Sequence, residues 1–444
     1  MDVMNRPLIV GGVAAIGVTF GLARYGYGLF EPDLRREFDL SMSAVGLIGS
    51  ATYAGYLLAL LLVGALVARL GPRPLVITGG VCATAGMALV ALAREPATLT
   101  AGLVLAGTSS GWAWAPYSDA VDRVVPPGLR ERAMGIIASG TAFGVVVAGP
   151  LALLAPGTGR RTVWLLFAAI ALATTLYNAR VLPAGAHRPA RGGSRVGFRW
   201  FARRRAVPLY ATAVAYGLVG SVYWQYAVAA VEDGMGVGQA TAPLFWTLMG
   251  LAGTAGVLAG HAIRRHGLRR AHAGIFTGLA VSVALLGLVP GSLPAVITSA
   301  VLYGPLFMAG SGLLAIWSYH LFPERPATGL SATVAFLAAG TIAGPATLGA
   351  VADGYGLRTA FLATAAVAML ALLVRPRTTD QAHGPRRRRT DSQGTHPRRT
   401  PEDRAAFAVF GLSYGKAPLG QSCSSTSLAT RSTMWPIRRD KSAQ

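Results

Sequence analysis

Long apolar blocks are the feature that most constrains the fold of this sequence. The first block runs from Leu8 to Phe30 and holds a single charged residue, Arg24. An α-helix of about 20 apolar residues crosses the roughly 30 Å hydrocarbon core of a bilayer. Of the 444 residues, 53% are apolar and 13% are charged, which excludes a disordered protein and an ordinary soluble domain. The pattern predicts an all-helical integral membrane protein.

Blocks of this kind recur along the chain up to residue 374, and each predicts one transmembrane helix. Together they leave little chain for a domain outside the membrane. The twelve predicted spans lie near 8–30, 44–68, 75–93, 99–121, 133–155, 162–182, 207–231, 243–263, 271–289, 294–318, 328–351 and 357–374.

The distribution of Lys and Arg predicts the orientation of the spans, because short cytoplasmic loops are enriched in these residues. With a cytoplasmic N-terminus, the inner segments before the tail carry 19 Lys and Arg residues and the outer loops carry 6. We therefore expect a multi-pass protein of the cell (plasma) membrane with both termini in the cytoplasm.

The longest loop divides the spans into two groups of six. An N-terminal half at 1–182 and a C-terminal half at 207–374 are expected, joined by a basic cytoplasmic linker at 183–206. Residues 375–444 are rich in Arg, Ser, Thr and Pro, a composition typical of disorder. This basic cytoplasmic tail is expected either to contact anionic lipid or to have no function.

An internal repeat relates the two predicted halves. The loop after the second span reads GALVARLGPRP, and the loop after the eighth span reads GHAIRRHGLRR. At an offset of 196, the matching pairs are Gly64 and Gly260, Arg69 and Arg265, Gly71 and Gly267, and Arg73 and Arg269. The dipeptide Gly149-Pro150 of the fifth span likewise recurs as Gly344-Pro345 in the eleventh span.

Two six-helix halves that carry the same loop resemble the major facilitator superfamily (MFS) of secondary transporters, in its bacterial form. The resemblance covers residues 1–374 and implies the MFS fold, alternating access and a functional monomer. The family's loop motif is G-x-x-x-D-R-x-G-R-R, and Ala68 and Arg264 stand where it has an acid. By this resemblance the expected gating residues are Gly64, Arg69, Gly71, Arg73, Asp122, Gly149, Pro150, Arg265, Gly267 and Arg269.

Asp122 enters that set because, in this superfamily, an acid at the cytoplasmic end of the fourth span commonly pairs with an arginine of the loop motif. The resemblance therefore implies an ion pair between Asp122 and Arg69 or Arg73. The Gly-Pro stretch of the fifth span is similar to a motif often linked with antiporters. Small residues also permit close helix packing in any membrane protein, so that motif alone does not identify an exporter.

Arg24 is expected to be a functional residue because a guanidinium group is costly to place inside a bilayer. One interpretation is a cation in a central cavity that meets an anionic substrate or a carboxylate partner. The other is a side chain that reaches the outer headgroups near Glu31 and Asp33. Tyr27 shares the helix face of Arg24 and is grouped with it as a substrate-binding candidate.

The fourth and seventh spans supply the other candidates. In the fourth, Trp112 and Asp119 lie on one helical stripe, and Asp119 is either a gate residue paired with Arg123 or a proton carrier. Glu31 at the outer mouth is a second proton-coupling candidate, because desolvation favours the neutral form of a carboxyl group. The seventh span contributes substrate-binding candidates that could equally serve packing, namely Tyr216, Tyr223, Trp224 and Gln225.

The sequence predicts a secondary active transporter of a small organic solute, coupled to protons or another ion, that carries or exports an organic anion. Drug-type efflux of amphipathic compounds is the alternative, and a non-transporting membrane sensor or scaffold of the same fold is a third hypothesis. No nucleotide-binding loop or metalloprotease signature is present, and the only cysteines are Cys82 and Cys423. An enzyme, a cofactor, a metal site and a nucleic-acid partner are therefore not expected.

Overall fold

The structure is a computed structural model that describes residues 5–154, 159–185, 203–235 and 240–376. All of these residues fall in one compact unit, in which every regular element is a helix. Residues 186–202 of the predicted linker and 377–444 of the predicted tail lie outside the described residues. The predictions for the linker and tail therefore stay predictions.

Twelve helical stretches follow one another in the described part of the chain, and we number them in chain order. They are α1 (Arg6–Glu37), α2 (Met42–Leu70), α3 (Pro72–Leu92), α4 (96–124), α5 (130–152), α6 (Arg160–Val181), α7 (Val207–Met235), α8 (241–266), α9 (Leu268–Leu288), α10 (Leu293–Leu321), α11 (Pro326–Tyr355) and α12 (Leu357–Ala371).

The all-helical membrane fold is confirmed, whereas the count of twelve spans is confirmed only in part. By length and composition, nine helices in the described residues could each cross a membrane, or ten when the bent α8 counts as one span. Of the remaining two stretches, α12 has 15 residues, and α4 is broken by a short 3₁₀ segment at Ser109–Trp112.

Local sequence signals explain where the helices begin and turn. Ser41 caps α2, because its side-chain oxygen accepts a hydrogen bond of 3.1 Å from the backbone N–H of Ala44. Gly71 links α2 to α3 with a φ of 77°, and its repeat partner Gly267 links α8 to α9 with a φ of 79°. Residues other than glycine rarely adopt this backbone conformation, so both sharp turns favour glycine.

The helix α1 is not a regular α-helix along its length. Residues Gly17–Arg24 form a π-helix, in which the N–H of Tyr25 donates to the carbonyl of Phe20, five residues earlier, at 3.0 Å. The same segment packs tightly on α5, where a side chain at Gly21 would lie 2.5 Å from the Cα of Gly144. Isolated π turns inside helices are frequent at functional sites.

The stretches α1–α6 and α7–α12 form two sets, here called the N-set and the C-set. We call the end of the bundle where α1 begins the proximal end, and the end where α1 finishes the distal end. The main inter-set contacts pair α2 with α11, α5 with α8 and α1 with α7. Near the distal end, Arg36 of α1 forms an ion pair of 2.9 Å with Glu232 of α7.

A second distal contact joins α2 to α11. The Asp353 carboxylate accepts hydrogen bonds of 2.8 Å from the backbone N–H groups of Met42 and Ser43. About two turns further along α2, the Ser50 hydroxyl donates to the carbonyl of Ile342 at 2.5 Å. These contacts hold the two sets together at the distal end.

Candidate substrate site

Arg24 sits in a cage of aromatic rings at the end of the π-helical segment. Its guanidinium carbon lies 4.0 Å from the ring centre of Tyr56 and 4.7 Å from that of Tyr53, both on α2. Phe20 and Tyr25 complete the cage at 5.5 Å and 5.8 Å. The electron-rich faces of aromatic rings stabilise a cation, so the cage holds the arginine charge inside the bundle.

The hydrogen-bonding capacity of Arg24 is only partly used. One terminal nitrogen donates to the Ser110 hydroxyl of α4 at 3.4 Å, while the buried Nε has no hydrogen-bond partner in the described residues. Among the residues that the structure describes, Arg24 forms no ion pair with an acid. Glu31 and Asp33 instead lie 3.5 Å and 2.7 Å from nitrogens of Arg35 and Arg36, respectively.

Trp224 and Gln225 of the C-set lie beside this cage. The indole of Trp224 stacks on Tyr25, the residue next to Arg24, with ring centres 4.1 Å apart. The Gln225 amide approaches α2 so closely that a side chain at Gly49 would lie 2.7 Å from its oxygen. The structure thus brings three of the predicted substrate-binding residues, Arg24, Trp224 and Gln225, to one region between the two sets.

Tyr27, Tyr216 and Tyr223 are all buried and hydrogen-bonded to the protein. The hydroxyl of Tyr27 donates to the carbonyl of Val45 at 3.3 Å, and that of Tyr216 donates to the carbonyl of Phe307. The Tyr223 hydroxyl is paired with the Ser299 hydroxyl at 2.7 Å. These contacts favour packing roles for the three phenol groups in the conformation described.

The two candidates of the fourth stretch, Trp112 and Asp119, contact residues other than Arg24. Trp112 is half-buried and packs against Gly79 of α3. Asp119 forms an ion pair of 2.6 Å with Arg123, one turn along α4, which is the predicted i,i+4 pair. Ser110, whose hydroxyl accepts from Arg24, lies on the 3₁₀ segment that interrupts α4.

Glu31 is the most enclosed acid in the described residues. Its side chain is 0% exposed, and neither carboxylate oxygen accepts a hydrogen bond there. The Arg35 Nε at 3.5 Å is its nearest cation. A carboxyl group buried in this way is able to bind and release a proton as its surroundings change.

The predicted loop residues lie at the proximal end. Asp122 pairs with Arg130 at 3.2 Å, rather than with the expected Arg69 or Arg73. Arg73 donates to the carbonyl of Ala179 on α6, and Arg69 is exposed at the end of α2. The remaining proximal candidates, all exposed, are Gly64, Arg265, Gly267 and Arg269.

Gly149 and Pro150 lie at a crossing between the two sets. A side chain at Gly149 would lie 2.6 Å from the carbonyl oxygen of Pro243, so α5 and α8 approach each other closely here. Pro150 follows within α5 and is exposed. The fifth-span motif is therefore part of an inter-set contact.

Sequence reasoning did not identify Tyr53, Tyr56 and Ser110 as site residues. Tyr53 and Tyr56 are three residues apart on α2, which places them on one helix face. That spacing was a usable signal, but nothing in the sequence indicates that this face turns toward Arg24. In the part of the chain that the structure describes, no cluster of His, Cys, Asp and Glu side chains is arranged to hold a metal ion.

An all-helical bundle of two sets, with a polar site between them, is the arrangement found in many multi-pass membrane transporters. Residues 16–375 match a family model described as "Uncharacterised MFS-type transporter YbfB". The chain belongs to this family of MFS-type transporters, which confirms the resemblance seen in the sequence.

Similar proteins include human monocarboxylate transporter 11, 36% identical over 171 residues, which cover 38% of this chain and 36% of the relative. The mouse protein of the same name is 33% identical over 174 residues, or 38% of each chain. The chain therefore spans less than two fifths of the length of these relatives. The transcription regulatory protein OpdE of Pseudomonas aeruginosa is 29% identical over 307 residues, covering 66% of this chain and 74% of OpdE.

Solved structures of transporters share the fold. A bacterial homolog of the human lysosomal transporter Spinster, in an inward-facing and unoccupied conformation, matches with a TM-score of 0.67 at 15% identity. The match covers 84% of this chain and 96% of the homolog. A variant of the nucleoside transporter NupG matches with a TM-score of 0.69 at 12% identity, covering 83% and 98%.

Proposed function

We propose that this protein is a secondary active transporter that moves small organic anions across the cell membrane by alternating access. The observation that carries this proposal is the Arg24 cage, which holds a cation inside the bundle with a buried Nε that has no described partner. An anionic group would supply the missing charge and acceptor. The same positive charge disfavours organic cations at this site.

The relatives give independent support for an anionic substrate. Two of them are named monocarboxylate transporters, and a carboxylate is the anion that best matches a guanidinium group. The ring faces around Arg24 provide apolar surface for the body of an organic acid. The proposed substrate class is therefore a small organic acid, handled by a monomer.

The proposed orientation places the proximal end in the cytoplasm, because the basic loops lie there. The distal end, where the two sets touch through the Arg36–Glu232 pair and the Asp353 contacts, then faces outward. In this orientation the structure corresponds to a state closed on the outside. Alternating access requires those distal contacts to break when the site opens outward.

The test is uptake of labelled butyrate into liposomes that contain the purified full-length protein. We expect Arg24→Ala to lower uptake by about 100-fold, because a charge-assisted contact contributes about 1.5–3 kcal/mol. Arg24→Lys should retain part of the activity, since the charge remains. The matched control is Arg94→Ala, which removes the same charge from an exposed loop and should leave uptake unchanged.

Each outcome of this experiment separates two functions. Equal uptake by the parent protein and Arg24→Ala would refute the role of Arg24. Stabilisation or transport of an amphipathic cation, with no response to any organic acid, would replace the proposal with drug-type efflux. Failure of the protein to move any solute, with ligand binding retained, would favour a sensor.

Proton coupling is part of the same proposal, with Glu31 as the coupling acid and Asp119 as the second candidate. We favour Glu31 over Asp119 because the carboxyl group of Glu31 is fully buried near the α1–α7 contact, whereas Asp119 forms an ion pair with Arg123. We expect Glu31→Gln to abolish accumulation driven by a pH gradient but to retain exchange of labelled for unlabelled substrate. Exchange needs no net proton movement, so it separates coupling from folding.

Two matched variants complete the coupling test. Glu95→Gln removes an exposed acid at the start of α4 and should leave accumulation unchanged. Asp119→Asn should also leave it unchanged if Glu31 is the coupling acid. Gradient-driven accumulation that persists in Glu31→Gln would exclude Glu31, and its loss only in Asp119→Asn would assign the role to Asp119.

A further inference from the structure

We infer that the substrate carries a second hydrogen-bond acceptor, which binds to the side-chain N–H groups of Gln225 and Trp224. This inference rests on the proposed function, because it assumes that a carboxylate of the substrate meets Arg24. It names the substrate class more closely, as hydroxy acids, keto acids and dicarboxylates. The two ends of such a molecule would contact different sets of helices.

The stacking of Tyr25 on Trp224 places the two ends within reach of one small molecule. The guanidinium carbon of Arg24 is 5.8 Å from the Tyr25 ring centre, which is 4.1 Å from the Trp224 ring centre. The guanidinium group and the indole are therefore separated by no more than these two distances added together. A chain of about four carbons with an acceptor at each end can span a gap of this size.

The surface of α2 gives a second, independent measure of the same proximity. Gln225 lies against Gly49, and Tyr53 of the Arg24 cage is four residues further along α2. Residues four apart on a helix lie on one face, with Cβ atoms about 5–6 Å from each other. The amide and the guanidinium group are thus neighbours along one face of α2.

The unused donors indicate what the second end of the substrate must be. Gln225 is 5% exposed and Trp224 is 4% exposed, yet the Gln225 Nε2 and the Trp224 Nε1 have no hydrogen-bond partner among the described residues. A buried donor without a partner costs about 1–3 kcal/mol. By contrast, the neighbouring Tyr223 and Tyr303 hydroxyls both have partners. An acceptor on the substrate would satisfy the two donors.

The test compares three four-carbon acids on the purified full-length protein by isothermal titration calorimetry. Butyrate has one carboxylate, β-hydroxybutyrate adds a hydroxyl group, and succinate adds a second carboxylate. We expect the parent protein to bind β-hydroxybutyrate or succinate about fivefold to tenfold more tightly than butyrate, the contribution of about one hydrogen bond. The affinity for butyrate, which has only one carboxylate, measures the contact with Arg24.

Gln225→Met keeps the length of the side chain and removes its donor, so it should abolish the preference for β-hydroxybutyrate and succinate over butyrate. Gln225→Glu places a carboxylate at the second end and should make succinate bind more weakly than butyrate. Trp224→Phe should reduce the preference in part. The controls are Thr212→Val, on the same helix, and Trp164→Phe, because both remove a buried unpartnered donor elsewhere and should leave the preference intact.

The outcomes distinguish this inference from the proposed function. Equal affinity of the parent protein for all three acids, with binding lost in Arg24→Ala, would overturn the second contact and leave the anion proposal in place. A preference that survives in both Gln225 variants would also overturn it. Absence of binding by every acid would refute the proposed function and this inference together.

Discussion

The first helices of the two sets, α1 and α7, face each other across the bundle but are built differently. α1 contains a π-helical segment and carries Arg24, whereas α7 is an uninterrupted helix of 29 residues. Tyr223 of α7 stacks on Tyr303 with ring centres 3.6 Å apart. Between Tyr216 and Trp224, α7 therefore forms a neutral aromatic wall, and α1 supplies Arg24 and the irregular backbone.

This difference indicates that α1 and α7, the equivalent helices of the two sets, have different roles. A charged group inside a bilayer needs specific partners, and the ring cage of α1 provides them. The stack of Tyr223 on Tyr303 carries no charge, and dense packing of rings and small residues is enough to hold it. Substitutions of the same chemical type should therefore have unequal effects on the two helices.

The largest expected difference concerns glycines that are packed against neighbouring helices. A methyl group at Gly21 of α1 would meet the backbone of Gly144 at 2.5 Å, whereas one at Gly220 of α7 would meet the Phe307 ring at 2.6 Å. Because a ring can tilt and a backbone cannot, Gly21→Ala should cost about 2 kcal/mol of stability and Gly220→Ala well under 1 kcal/mol. Thermal unfolding in one detergent measures both, and equal losses would contradict the comparison.

Removing one ring of the cage should affect anion binding next most strongly. Tyr56→Leu takes away the ring nearest to Arg24, and we expect anion affinity to fall about tenfold, or about 1.4 kcal/mol. Tyr56→Phe keeps the ring and should retain affinity. On the α7 side, Phe336→Leu removes the ring stacked on Tyr210 and should leave affinity unchanged. A loss of affinity in this control would show that aromatic packing in general, rather than the cage, controls binding.

The ion pair that joins the distal ends of α1 and α7 should have a smaller effect. We expect a double-mutant cycle with Arg36→Gln and Glu232→Gln to give a coupling energy of about 1 kcal/mol for the closed distal end. Added salt should reduce this coupling, because the arginine is partly exposed. Labelling of a cysteine introduced at the distal end measures opening, and strictly additive single effects would show that the pair does not hold the gate.

The smallest effect is expected within the wall itself. Tyr223→Phe removes the hydroxyl that contacts Ser299, but Ser299 keeps hydrogen bonds of 2.8–3.1 Å with Ser282. The cost in unfolding free energy should therefore be about 0.5 kcal/mol, at the low end for a hydrogen bond, with butyrate uptake unchanged. A large loss of uptake would assign Tyr223 to the substrate site instead.

The sequence predicted the helical membrane fold because apolar block length is a local property of the chain. It also made Arg24 a candidate site residue, since a charge inside an apolar block is visible without knowledge of packing. The π-helical interruption of α1 was not predicted, because it depends on how neighbouring helices approach. The segment Gly17–Arg24 has a composition that is ordinary for membrane helices.

The partners of charged groups were harder to predict than the groups themselves. The family motif implied an arginine of the second loop for Asp122, whereas the structure pairs Asp122 with Arg130, eight residues away in sequence. Likewise, the inter-set contact between Asp353 and the start of α2 joins residues 310 positions apart. Such pairings depend on the relative position of the helices, which no local sequence pattern encodes.

The π-helical segment of α1 also bears on how the gene could have diverged from its internal copy. An additional residue in a helix rotates everything that follows by about 100° relative to what precedes it. An insertion or deletion within Gly17–Arg24 would therefore redirect Arg24 and Tyr25 as a unit, while the face formed by Leu8 and Ile16 stays in place. At the offset of 196 that relates the loops, Arg24 corresponds to Gly220 of α7, so the second set has no cation at the matching position.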